Sequence, residues 1–373
     1  MDFTFTEEQE AAREAARGVF SGVSPDDVPS PQHTPAGRPV SDDFDRELWS
    51  RLAAAGVLGL TVPEEHGGAG LDALALCLAL RESAKVLARV PLLETGAAAL
   101  TLAAYADEPL RAALLPRVAR GELVLTAAAH GRTGHEPPGH AVEARPSPED
   151  DSAVLLDGVQ TAVPWAPTCD LAVVPAHTPD GRAVLALVPP SDPGVTLAEQ
   201  TSTNGERYAE LRLDSVRVAG SRLVTHPEAA DRLARLLATG TCAQAAGLAT
   251  RVLELTSAYV GEREQFGHPL ATFQAVAVQT ADRYIDVRAM EATLWQAAWR
   301  LSPVDVAVAK IWASEGVRRM AQTAQHLHGG AGADTDNSLH RYHAWAKQLE
   351  LTAGPAAQHE ETLGALLATE APG

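Results

Sequence analysis

Between two stretches of helical spacing the chain reads Arg263-Glu264-Gln265-Phe266-Gly267-His268-Pro269-Leu270-Ala271-Thr272-Phe273-Gln274, a run that concentrates groups able to hold an anion and a flat ring. The planar, five-donor guanidinium of Arg263 suits a pyrophosphate or a carboxylate equally well. Phe266 and Phe273 offer apolar faces to a ring system. The competing reading is a solvated arginine beside two core phenylalanines. A second glycine-rich run, Glu65 to Gly70, has the look of a phosphate loop, but no strand precedes it and no lysine lies within it, so it reads as a turn. Cys77, Cys169 and Cys242 are widely separated, which indicates neither a disulfide framework nor a metal site.

The connector at Arg263 needs rigid flanks, and the pattern supplies them. Leu253 and Val260 upstream, and Phe273, Ala277, Tyr284, Val287 and Leu294 downstream, repeat at helical spacing, while Gly267 and Pro269 punctuate the junction. Earlier in the chain, Thr6 and Gln9 form a capping box that opens a helix running to about Phe20. A proline-rich loop over 22–40 follows. Ser41 is then expected to cap a helix carrying Phe44, Leu48, Trp49 and Leu52, and further helices are expected from Leu71 to Ala88 and from Gly96 to Ala119. Near Gly121 the period changes to two. Apolar or alternating runs at 153–156, 171–175, 183–188, 195–198 and 209–218, separated by Asp-Gly and Pro-Gly turns, indicate strands. Helical spacing returns at Pro227 and continues to about Leu367. Helices, then a sheet, then helices gives an α+β class in three segments: an N-terminal helical domain over 1–121, a middle β domain over 122–223 and a C-terminal helical domain over 224–373.

A chain of 373 residues, 46% of them hydrophobic, can bury more than one core. Its net charge of -18 argues against nucleic acid or an anionic membrane surface as a partner. No basic-then-apolar leader opens it and no run approaches a membrane span, so a cytoplasmic protein is the expectation.

The Arg263 run resembles the Arg-x-Gln-Phe-Gly-x-Pro-Leu connector of the acyl-CoA dehydrogenase family. Further similarities follow in the family's order, at Val62 to Gly70, Leu115 to Glu122, Leu211 to Val218 and His328 to Gly332. The resemblance implies an N-terminal helical domain, a middle β domain and a C-terminal four-helix bundle. It also implies FAD and a glutamate base: in that family a glutamate removes the α-proton of an acyl-CoA thioester while FAD accepts the β-hydride. By that resemblance the two family positions for the glutamate hold Ala353 and Leu237 here, with Leu236 adjacent, and Glu360 stands where the motif closes on arginine. Glu350 and Asp231 lie about a helical turn or more away and would point elsewhere. No catalytic residue is therefore assigned.

The family's isoalloxazine-holding runs fall at 123–132 and 160–166, and both have eroded, leaving Thr126 and Trp165 as possible remnants. The half of the flavin site that the family offers to a neighbouring subunit is retained by resemblance: Arg263, Gln265, Phe266 and Phe273 in the connector, with His326, Gly329 and Gly330 in place of a Gln-x-x-Gly-Gly turn. Gln325 adjoins it, and His328 reads as a packed neighbour. This retention of one half, with the runs Leu339 to Lys347 and Val163 to Pro167, resembles the α2β2 steroid-CoA dehydrogenases, whose dissimilar subunits share one site. That resemblance implies a non-base-bearing subunit that shares FAD with a homologous, glutamate-bearing partner and acts on a bulky acyl-CoA. The alternatives are a flavin-dependent monooxygenase of the same fold and a non-enzymatic scaffold.

Overall fold

The computed structural model describes residues 4–35, 37–129, 141–150 and 152–370. Helix α1 (Glu7–Phe20) opens on the capping box: the Thr6 hydroxyl accepts the Gln9 N–H at 3.2 Å, and the Gln9 side chain accepts the Thr6 N–H at 3.1 Å. Helix α2 (Arg46–Ala54) begins later than Ser41. Asp45 accepts the Leu48 N–H at 2.8 Å, because a carboxylate both satisfies an orphan donor and complements the helix dipole. Phe44 is thereby left outside the helix, buried and edge-on to Trp49 at 5.7 Å.

Helix α3 (Ala73–Lys85) is shorter than the apolar run that contains it, and the helix expected from Gly96 to Ala119 is two, α4 (Leu92–Tyr105) and α5 (Glu108–Ala119). Asp107 divides them. Its extended backbone and its cap on the Leu110 N–H at 3.0 Å restart the helix. The strands are β1 (Leu125–Ala127), β2 (Val142–Pro146), β3 (Val154–Pro164), β4 (Leu171–His177), β5 (Ala183–Val188), β6 (Val195–Thr201), β7 (Arg207–Val218) and β8 (Leu223–Val224). They form one mixed sheet in the order β6-β7-β3-β2-β4-β5-β8, with β1 parallel to β4. The sequence pattern missed β1 and β2. The first is three residues long and wholly buried, so it shows no alternation.

After the sheet come α6 (Ala229–Glu262), the two-residue strands β9 (Glu264–Gln265) and β10 (His268–Pro269), α7 (Gln274–Arg300), α8 (Pro303–His328), α9 (Gly330–Ala333), α10 (Leu339–Leu351) and α11 (Ala356–Glu370). Contacts divide the chain into a helical unit (1–33, 77–88 and 235–373) and a sheet unit (34–76 and 89–234). In the sheet unit the strands contribute a buried cluster that includes Val142, Leu156, Val174, Leu211 and Val216, all inaccessible to solvent. In the helical unit α8 packs against α7, α10 and α11. Lys310 of α8 is wholly buried, and its ammonium donates to Ser314 Oγ at 2.6 Å and to the Glu350 carbonyl at 3.2 Å, satisfying the last turn of α10. Burial pushes the Lys310 pKa down to about 8. Among the described residues no helix is long and apolar enough to cross a membrane.

The close approach of α6 to α3 within the helical unit depends on Gly247. A Cβ there would stand 2.1 Å from the Arg81 carbonyl oxygen, a backbone atom that cannot swing aside. Gly247→Ala is expected to destabilise the chain by about 3 kcal/mol. Gly261→Ala, at an open position on the same helix, should be neutral or stabilising by up to about 1 kcal/mol. Denaturant midpoints of the two variants measure the contrast, and equal midpoints would contradict it.

Candidate functional site

The connector is a tight hairpin held against the end of α6. Gln265 pairs with His268 and Glu264 with Pro269 across the two short strands, and the Leu270 N–H donates to the Arg263 carbonyl at 2.8 Å to close the loop. Its turn residues, Phe266 (φ 54°) and Gly267 (φ 77°), both lie in the left-handed region, which a two-residue hairpin of this hand requires. Glycine adopts that conformation freely. Phenylalanine does so at a cost on the order of 1–3 kcal/mol.

That strained phenylalanine is also 91% exposed, so the reading of two core phenylalanines fails at Phe266: the turn lifts its ring away from the helices. Phe273, half-buried, meets it edge-on at 6.3 Å. Phe273 is the N-cap residue of α7 and so precedes the helical pattern it seemed to belong to. Tyr284, in the same pattern, is 58% exposed. Arg263 is exposed, and among the described residues no carboxylate pairs with it. Gln265 is exposed as well, its amide donating to the Glu264 carbonyl at 2.8 Å.

The second group lies where α8 ends. Gly329 holds φ 58° and ψ -134°, a conformation suited to glycine, and a Cβ built at Gly329 or Gly330 would meet nothing within 4 Å. The turn is therefore an open, side-chain-free stretch of backbone. Gln325 braces it, its amide donating to the Gly329 carbonyl at 3.0 Å, and His326 is exposed beside it. One contact ties this turn to the connector. Tyr259, four residues before Arg263 and the acceptor of its N–H at 2.8 Å, stacks on His328 with ring centroids 4.1 Å apart and 13° between planes. His328 immediately precedes Gly329 and is buried, as a packed neighbour should be. Burial holds its pKa below the ordinary histidine value.

The loop between α10 and α11 carries Ala353 in the left-handed region (φ 58°), its carbonyl hydrogen-bonded to His359 Nε2 at 2.7 Å. Glu350 pairs with Lys347 at 3.0 Å, Leu237 is a half-buried residue of α6 and Glu360 is exposed. In the sheet unit, Thr126 is inaccessible, and its hydroxyl donates to the Pro164 carbonyl at 2.5 Å. Trp165, buried at φ 57°, packs edge-on to Phe44 at 6.1 Å. A residue missed by sequence reasoning adjoins it. Glu94 of α4 keeps a partly exposed edge, yet its surroundings push its carboxyl up to about 7, a rise due to burial and opposed by hydrogen bonds from its own backbone N–H and from Trp165. His130, Gly131 and Arg132, part of one expected flavin-holding run, lie outside the described residues.

Residues 6–122 match the acyl-CoA dehydrogenase N-terminal domain, and 236–367 match the acyl-CoA dehydrogenase C-terminal domain. The chain is 36% identical to acyl-CoA dehydrogenase FadE27 of Mycobacterium tuberculosis over 99% of both chains. It belongs to the acyl-CoA dehydrogenase family. Among solved structures of that family it is similar to a chain of the ChsE4-ChsE5 complex from Mycobacterium tuberculosis, with a TM-score of 0.90, 34% identity and 100% of both chains covered. It is also similar to a chain of a variant of the Tcur3481-Tcur3483 steroid ACAD, with a TM-score of 0.88 and 35% identity over 97% of this chain and 98% of that one. Acyl-CoA dehydrogenases are flavoenzymes, and the exposed groups here fit the phosphate-and-adenine end of FAD. An unpaired guanidinium suits a pyrophosphate, an exposed aromatic ring suits a flat base, and the glycine turn leaves room for close backbone approach.

The histidine of this site should also be visible in stability. His328 is held neutral by burial, so between its lowered folded value and the unfolded value of about 6.5 the unfolded chain binds the extra proton, and stability falls as pH falls. Glu94, raised by burial, acts in the opposite sense over part of the same range, so whole-protein melting cannot isolate the histidine. The difference between His328→Phe and the unaltered protein can. Its melting temperature should gain on that of the unaltered protein as pH is lowered from about 7.5 to about 5.5; a difference that stays constant or shrinks would contradict this.

Proposed function

We propose that this chain is the non-base-bearing subunit of a heteromeric, FAD-dependent acyl-CoA dehydrogenase, and that it supplies the ADP-binding half of a FAD site shared with a homologous subunit in an α2β2 assembly. The observation that carries the reading is the pairing of costs at Phe266. Its backbone is in the left-handed region and its ring is almost fully in water, with the edge of Phe273 against it. A bound group beyond the chain supplies the compensation. Arg263 pairs with the pyrophosphate, Phe266 and Phe273 cover the adenine side against water, and Gln265, His326 and the Gly329–Gly330 backbone offer hydrogen bonds. FAD, when bound, supplies the hydride acceptor for α,β-dehydrogenation.

The chain's own interior supports the other half of the proposal. The two positions matched to the family's base hold Ala353 and Leu237, neither able to take a proton, and the nearby Glu350 is engaged with Lys347. The Thr126 hydroxyl is committed to the Pro164 carbonyl. The glutamate that removes the α-proton then belongs to the partner, which also binds most of the acyl-CoA. Both structural relatives come from two-component complexes, one described as a steroid ACAD, so a bulky steroid side-chain acyl-CoA is the proposed substrate class.

Two experiments test this. The chain expressed alone should be colourless and inactive on acyl-CoA, and Ala353→Glu should not change that. A yellow, active homomer would refute the proposal. In the assembled complex, Arg263→Ala removes one charge-assisted pair, worth on the order of 1.5–3 kcal/mol, and should weaken FAD binding roughly tenfold to a hundredfold. Flavin fluorescence titration reads this directly; unchanged affinity would make Arg263 a surface residue only.

A further inference from the structure

The connector and the glycine turn belong to segments far apart in the chain, yet one buried contact joins them. His328 is 7% exposed and lies almost parallel to Tyr259 at 4.1 Å, and the Tyr259 hydroxyl approaches the His328 carbonyl at 3.5 Å. From the other side, α9 closes on the same residue: a Cβ at the buried Gly332 would meet His328 Cβ at 3.0 Å. His328 thus packs its ring on Tyr259 of α6 and has α9 close against its Cβ. Both of its ring nitrogens are buried without a hydrogen-bond partner among the described residues. Leaving such atoms unpaired costs stability, so what the imidazole contributes here is its flat ring and not its nitrogens.

We propose that the Tyr259–His328 stack is a positioning element: it holds the Arg263 hairpin and the Gly329–Gly330 turn in their cofactor-ready arrangement before FAD or a partner subunit arrives. The proposal rests on the shared-site reading above. Its physical basis is pre-organisation. Arg263 follows Tyr259 by one helical turn and is hydrogen-bonded to its carbonyl, and Gly329 follows His328 directly, so fixing the two rings fixes the two backbones. Neither ring touches the cofactor in this account. What matters is a flat ring at 328, not its nitrogens.

Three variants separate the possibilities. His328→Ala removes the ring, His328→Phe keeps it, and Arg263→Ala removes the proposed phosphate ligand while leaving the stack intact. In the full chain, hydrogen exchange followed by mass spectrometry should show faster exchange in His328→Ala within 259–273 and 325–333, other segments being unchanged, and should show no acceleration in His328→Phe. In the complex with its partner, His328→Ala should bind FAD about tenfold more weakly, the loss expected if the competent arrangement falls to about a tenth of the population. His328→Phe should restore affinity to within about twofold, a rescue that a hydrogen-bonding role for the imidazole would not allow. The stack is overturned as a positioning element if exchange in His328→Ala is unchanged or rises uniformly along the chain, or if His328→Phe fails to rescue. If Arg263→Ala weakens FAD binding and His328→Ala does not, the stack is overturned while the shared-site reading stands. If neither weakens it, the shared-site reading falls and the positioning role falls with it.

Discussion

A left-handed turn at Phe266 and Gly267 is the constraint on which the candidate site depends. Helix α6 runs for 34 residues and must reverse into α7, and it does so through a hairpin with only two residues at its tip. That reversal requires positive φ at both tip positions, and a phenylalanine occupies one of them. The ring is thrown outward beside an unpaired arginine. Were the tip chosen for stability alone, an asparagine or a glycine would serve at lower cost. The strain is understandable when the ring is used by something outside the chain.

The two ends of the molecule's chemistry are therefore unequal. Toward its surface the chain presents Arg263, with which no carboxylate among the described residues pairs, an exposed ring and bare backbone. Toward its own interior the corresponding residues are turned on one another: Thr126 bonds Pro164, Trp165 packs on Phe44, and Ala353 is held by His359. Lys310 reinforces the last of these by fastening the end of α10, the helix that leads into the Ala353 loop. Under the proposed function this inequality is what a chain contributing a binding surface to a larger assembly would show.

Local chemistry was legible in the sequence and distant pairing was not. The Thr6–Gln9 capping box could be read because both partners sit within one turn, and the helix break expected over 261–269 could be read from its glycines and proline, although α6 continues to Glu262. Ser41 reads as a cap because Phe44 fits the apolar pattern of the helix, but the cap is Asp45 and Phe44 is buried by tertiary packing against Trp49, not by helical position. Strand β1 was missed because a wholly buried strand has no alternation to detect. At Phe266 residue type alone left a core position open as the competing reading, and the backbone turn is what reveals its exposure. The Tyr259–His328 stack joins residues 69 positions apart, and no spacing rule connects them. Glu94 was equally hidden, because its altered carboxyl arises from surroundings that its helical neighbours do not disclose.

The central claim is that this chain provides half of a shared flavin site and no complete site of its own. The most direct measurement is flavin absorbance per mole of the purified complex with its partner, with the subunit ratio fixed by mass spectrometry. The account predicts two FAD for each α2β2 assembly, one for every pair of unlike chains. Four FAD for each assembly, one held by every chain, would contradict it.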